Sequence, residues 1–174
     1  MPIVHLIEGP VGAGKSTYAQ ALAARTGGVH IALDAWFATL FSPDRPAAEV
    51  LPWYVARKAR VLALIWTHSQ AVLAAGVDVI LELGLIQRQL RMDFCRGVQA
   101  LGFELVMHEL EAPRELRRAR VQQRNEQQGA TFSMVVPPEI FALASDLWEP
   151  VDEFERGEYA VERVFTGPEA ASPA

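Results

Sequence analysis

The chain has 174 residues, 51% of them apolar and 21% charged, and carries a formal net charge of −5. That length supports one domain with a core of its own, and the acidic balance disfavours nucleic acid as a general partner. Because no apolar run reaches the roughly 18 residues of a membrane span, and no charged stretch leads into a signal-like one, we expect a cytoplasmic protein without membrane partners, as monomer or homodimer.

Ile3 to Ile7 is a short apolar run of strand type, and Thr17 to Arg25 has Tyr18, Ala19 and Leu22 at helical spacing with Gly27 as a stop. Between them lies GPVGAGKS, Gly9 to Ser16, which fits the pattern G-x-x-x-x-G-K-[ST] without a mismatch. Strand, glycine loop and helix form the context in which this motif binds phosphate. The glycines let the backbone turn tightly, so that consecutive N–H groups and the positive end of the helix dipole converge on a polyphosphate. The expected nucleotide contacts are Gly9, Pro10, Val11, Gly12, Ala13, Gly14, Lys15, Ser16 and Thr17. Lys15 would add a point charge at the β- and γ-phosphates and Ser16 a hydroxyl ligand for Mg²⁺, so ATP and Mg²⁺ are the expected cofactors, with GTP left open.

Val29 to Leu33 is a second strand candidate ending at Asp34. In open parallel sheets ligands gather at the carboxyl ends of strands, which makes Asp34 a candidate for chemistry. Alternatively it caps the short segment Ala35 to Phe41. Ser42 to Pro46 reads as a turn. Pro52 to Ala75 has a helical apolar pattern, with Arg57, Lys58 and Arg60 near its start, either lining an acceptor pocket or, the preferred reading, on a solvated face. Trp36 and Trp53 read as core residues.

Val77 to Leu83 is a third strand, and Glu82 near its end is a candidate to hold Mg²⁺ through water, or else to pair with Arg88. A helix over Gln87 to Leu101 and a strand over Phe103 to Leu110 follow; His5 and His108 are expected to be satisfied within their strands, and Cys95 to be a small buried hydrophobe. Ala112-Pro113 opens a helix on which Arg117, Arg120 and Arg124 share one face. Like charges so placed repel, so an anion or acidic side chains are expected opposite them. Asn125 to Val136 reads as a mobile flap, Glu139 to Leu147 as a helix, Trp148 to Gly157 as an acidic loop, Tyr159 to Phe165 as a strand and 167–174 as a frayed tail.

Strands alternating with helices predict an α/β domain, residues 1–166, with a parallel sheet of about five strands in a three-layer sandwich and a small helical lid over 118–136.

GPVGAGKST, the strand ending in Asp34, and Ala112-Pro113 followed by Arg120 and Arg124 together resemble the small P-loop kinases grouped with the phage polynucleotide kinase domain, chloramphenicol phosphotransferase and the zeta-toxin kinases. The likeness in pattern runs to about Phe165. It implies the P-loop NTPase fold and transfer of the γ-phosphoryl of ATP to a hydroxyl, here of a small-molecule acceptor. It also implies that Lys15 and Ser16 hold phosphate and Mg²⁺, that Asp34 is the general base, and that Arg120 and Arg124 are catalytic lid arginines; Asp34 is further read as sharing the metal shell with Ser16 and Glu82, although Glu82 stands where the resemblance leads one to expect Asp. A regulatory or non-catalytic ATPase and a nucleoside monophosphate kinase stay open as alternatives. The N-K-x-D and D-x-x-G motifs of a GTPase switch are absent from the sequence.

Overall fold

Five parallel strands form the centre of the computed structural model, which describes residues 1–129, 132 and 134–168. The strands are β1 (Ile3–Glu8), β2 (Val29–Ala32), β3 (Val79–Glu82), β4 (Glu104–Glu111) and β5 (Ala160–Phe165), in the spatial order β2-β3-β1-β4-β5. The helices are α1 (Lys15–Thr26), α2 (Leu33–Phe41), α3 (Val50–Ala74), α4 (Arg88–Ala100), α5 (Arg114–Gln127), α6 (Pro138–Asp146) and α7 (Glu153–Glu158).

The central strands β1 and β3 read as apolar runs because both faces of the sheet are covered there, while the edge strand β5 is largely exposed. Alternation along β1 and β3 sends Val4, Leu6, Val79 and Leu81 to one face, against Val61 and Ile65 of α3 and Cys95 and Val98 of α4. Ile7 and Ile80 point to the other face, against Ala19 and Leu22 of α1. Cys95 is free and buried, and burial pushes its thiol up to about 12. β1 lies at the centre, so the loop that follows it opens where the crossovers to either side diverge, the crevice that parallel sheets use for ligands.

Four expectations change. β2 stops at Ala32 and α2 starts at Leu33, so Asp34 stands in the first turn of a helix and not at a strand end. It does not cap that helix either: the cap position is Ala32, and no side-chain cap bond forms. The acidic stretch 148–157 holds a helix, because Asp152 and Glu155 form a reciprocal capping box that starts α7. The segment expected to be a flap is helical to Gln127, and Asn125 closes its base by bonding both the N–H and the C=O of Val136, at 3.0 and 2.8 Å. The rest of that expectation rests in part on Ala130, Thr131 and Ser133, which lie outside the described residues, as does most of the expected tail.

His5 Nδ1 and His108 Nε2 lie 3.0 Å apart in a hydrogen bond between β1 and β4; the Tyr18 hydroxyl meets the second nitrogen of His108, as expected of a satisfied strand histidine, whereas that of His5 is buried without a partner among the described residues. Arg91 of α4 is wholly buried and clamped by both oxygens of Glu155, each at 2.9 Å. Its free N–H groups reach the carbonyls of Leu85 and Ile86. Removing one partner of such a pair costs about 3–5 kcal/mol, so α7 and the loop after β3 are firmly joined.

Candidate active site

α1 begins directly after the glycine loop, so its first N–H groups have no partner within the helix and face the loop. Space fixes two of the glycines: a Cβ on Gly9 would lie 2.6 Å from the Leu110 carbonyl oxygen, and one on Gly12 2.6 Å from that of Arg117. The loop is thus pressed against the end of β4 and the start of α5. Lys15 Nζ donates to the carbonyls of Gly9 (2.8 Å) and Pro10 (3.0 Å), which leaves a donor free for phosphate.

Ser16 Oγ donates to Glu82 Oε1 at 3.0 Å. His30 Nε2 stands 3.4 Å from Glu82 Oε2, yet that oxygen is buried without a hydrogen-bond partner. Burial alone would raise the Glu82 pKa, but the His30 ring, the Lys15 charge and the Ser16 hydroxyl outweigh it and hold the carboxyl below its ordinary value. Arg88, the alternative partner, pairs with Asp152 instead. A hydroxyl beside an orphaned carboxylate oxygen is a hard-oxygen donor pair of the kind Mg²⁺ takes. Among the described residues no group of three His, Cys, Asp or Glu could hold a metal alone, so phosphate and water oxygens would complete the shell. The residues present fit Mg²⁺ carried with a nucleotide.

Two cavities meet at this point. A groove of about 610 Å³ runs past Gly14, Thr17, Arg120 and Thr166. A second cavity of about 350 Å³ is lined by Asp34, Tyr54, Lys58, Gly84, Ile86 and Val136. Gly12, Lys15, Ser16, Glu82 and Arg124 border both. Of the expected loop contacts, Gly9 and Val11 face only the second cavity, while Pro10 and Ala13 face neither. Ala13 is wholly buried in the core under α1 and gives its carbonyl to Thr166.

Asp34 is crowded by protein on the cavity side while the open mouth leaves it solvent contact. That crowding, with repulsion from Glu82, raises its pKa, and Lys15, Lys58 and Arg124 pull the other way. The Tyr54 hydroxyl beside it is pushed up to about 12 by burial and by the Asp34 charge. Of the basic residues on α3, Lys58 reaches this cavity, whereas Arg57 stacks on Trp53 and Phe41.

The three arginines on one face of α5 stand in different surroundings. Arg117 bonds the Val11 carbonyl at 2.9 Å and Ser145 at 3.0 Å and lies over Phe141, so backbone and aromatic groups replace the expected anion. Arg120 is tied to the hydroxyl and carbonyl of Thr166 and borders the large groove alone. Arg124 Nε is buried without a partner at the junction of the two cavities.

Residues 4–136 match the family model described as an AAA domain. The chain belongs to that family.

Three solved structures resemble this AAA domain, all at low identity. A protein from Chloroflexus aurantiacus J-10-fl, provisionally described as a kinase, is 16% identical, with a TM-score of 0.71 over 95% of this chain and 85% of that one. A gluconokinase from Sinorhizobium meliloti 1021 is 21% identical, with a TM-score of 0.53 over 99% and 85%. A chain of the Pnkp1/Rnl/Hen1 RNA repair complex is 17% identical, with a TM-score of 0.62 over 91% and 46%. At these identities the likeness is one of fold, and the fold is that of the P-loop kinases. No curated protein matches the sequence.

Sequence reasoning missed Glu8, His30, Tyr54 and Thr166 in this AAA domain. Glu8 was detectable: it is a carboxylate closing an apolar strand immediately before the glycine loop. It is wholly buried, one oxygen accepts from the Leu85 N–H at 3.3 Å, and the other has no partner. Burial raises its pKa to about 7, against the opposing charges of Lys15, Arg91 and Lys58. His30, Tyr54 and Thr166 carry no signal that separates them from ordinary strand, helix and turn residues.

Proposed function

We propose that this protein is an ATP-dependent phosphotransferase that moves the γ-phosphoryl of ATP to a hydroxyl of a small-molecule acceptor. The observation that carries the reading is the junction of two cavities at Lys15, Ser16, Glu82 and Arg124, with Asp34 on the wall of the second cavity alone. ATP would lie in the larger groove, its phosphates on the loop N–H groups and Lys15. Bound Mg²⁺, held by Ser16 and Glu82, would neutralise charge on the phosphate oxygens. The acceptor hydroxyl would sit at Asp34 and its oxygen attack the γ-phosphorus, while the bond from phosphorus to the bridging oxygen breaks and ADP leaves. The hydroxyl proton would pass to the Asp34 carboxylate, whose pKa is raised and its basicity with it. Arg124 would stabilise charge on the phosphoryl in transit.

A regulatory ATPase would need only the groove and a water molecule, so the second cavity disfavours that alternative. In a nucleoside monophosphate kinase the nucleophile is itself a phosphate, and the Asp34 carboxylate beside Glu82 would repel it. The gluconokinase among the structural neighbours supports a small hydroxylated acceptor at the level of fold.

Asp34→Asn tests the reading. Asn keeps the shape of the side chain in the first turn of α2 but cannot take the proton. The expected result is a folded variant with near-normal ATP affinity and transfer reduced by about a hundredfold or more, measured with any acceptor that gains phosphate in an ATP-dependent mass screen. Transfer at the wild-type rate would remove Asp34 from the chemistry.

A further inference from the structure

Resting on the kinase reading above, we infer that the acceptor is a small hydroxylated acid whose oxyanion is held by Lys58. Fewer than half of the lysines and arginines are in ion pairs. Arg88, Arg91, Arg114, Arg156 and Arg163 each face a carboxylate. Among the described residues, the cations lining the second cavity are Lys15, Lys58 and Arg124, and none of the three is in an ion pair. Lys15 and Arg124 also border the large groove, where a triphosphate takes both. Lys58 borders the second cavity alone, half-buried, with one long bond to the Gly84 carbonyl at 3.4 Å. Its ammonium therefore keeps at least two donors for a ligand.

Position strengthens the inference. Lys58 follows Tyr54 by one helical turn, so both side chains project from α3 into the same cavity. Asp34 comes from α2 and is not paired with Lys58, which gives the cavity a proton acceptor on one helix and a cation on the other. A molecule bridging them presents a hydroxyl to Asp34 and negative oxygen to Lys58. A neutral polyol would strip water from the ammonium without returning a counter-charge, and that costs affinity. The volume of about 350 Å³ is at the small end for ligand pockets and suits a metabolite better than a polymer end. A carboxylate and a phosphate monoester are the two sources of such an oxyanion.

The test uses the full chain with ATP, Mg²⁺ and acceptors in matched sets: gluconate with glucitol, and glycerate and glycerol phosphate with glycerol, each followed by mass gain. Acids should exceed their neutral partners in kcat/KM by about tenfold or more, mostly through KM. Preference within the glycerol set separates carboxylate from phosphate. Lys58→Ala should bring the acids down to the neutral compounds, and Lys58→Arg, which keeps the charge, should restore part of the preference. Neutral compounds accepted as well as acids, with no response to Lys58→Ala, would overturn the inference and leave the kinase reading standing. ATP turnover with phosphate reaching only water across all sets would overturn the kinase reading and the inference together.

Discussion

The large groove and the smaller cavity share five bordering residues but are built from different materials. On the reading proposed above, the groove is largely a backbone site, its phosphate cradle made by the N–H groups at Gly12, Gly14 and the start of α1, with α5 and Thr166 opposite. The cavity is a side-chain site, collected from α2, α3, the loop after β3 and α6. A backbone cradle can serve any polyphosphate, because it recognises charge and curvature. A side-chain cavity carries selectivity, since each of its groups can change without disturbing the chain path. If the proposed phosphotransfer holds, the division gives a shared donor half and an individual acceptor half.

The sharpest test of the division compares two arginines one helical turn apart. Arg124 stands unpartnered at the junction, so Arg124→Ala should lower phosphoryl transfer by about a thousandfold or more in single-turnover assays. Arg120 faces only the groove and is tied to Thr166, so Arg120→Ala should act mainly on ATP affinity, read by equilibrium binding. Equal losses of transfer in both variants would erase the distinction. Lys15→Ala removes the ammonium that the loop holds over its own carbonyls, and ATP affinity or turnover should fall by at least about tenfold. Unchanged ATP binding and turnover would mean that phosphate is carried by the N–H groups alone.

The smallest effect concerns Glu8, the buried last residue of β1, which lines neither cavity. Its pKa rises from an ordinary 4.5 to about 7, mainly because burial disfavours the charge. Between those values the folded chain keeps a proton that the unfolded chain has released, so stability falls as pH rises through the window. The loss is complete above about pH 7 and amounts to roughly 3 kcal/mol at most. Glu8→Gln should flatten that dependence between pH 5 and 8 in denaturant midpoints. A variant with the wild-type slope would show that Glu8 is not the group responsible.

The same contrast explains what the sequence made legible. Gly9, Gly12, Lys15 and Ser16 were readable because a backbone cradle demands fixed residue types at fixed spacing. The sheet was readable because both faces of its central strands are buried, leaving apolar runs between helical patterns. Asp34 was found as a residue, yet its setting was misjudged: β2 ends two residues earlier and passes into α2 without an intervening turn. Lys58 was weighed toward solvent because a charge near a helix start gives no hint of which way it faces. Of the three arginines read as one anion-seeking face, Arg117 and Arg120 are met by Val11, Ser145 and Thr166 from segments distant in the chain, while Arg124 Nε has no partner among the described residues. The α7 capping box lay in plain letters, Asp152 and Glu155, but an acidic stretch with Pro150 and Gly157 reads as a loop when composition is the guide.

Thr166 ties the order of synthesis to the order of assembly. Its hydroxyl donates to Ala13 within the glycine loop at 2.6 Å and receives from Arg120, while its N–H bonds the Glu111 carbonyl at 2.9 Å. The loop is thus synthesised 153 residues ahead of one of the neighbours that complete it. A nascent chain short of this residue lacks one part of the groove wall, so stabilisation by a ligand bound there would be weaker until the fifth strand has joined the sheet.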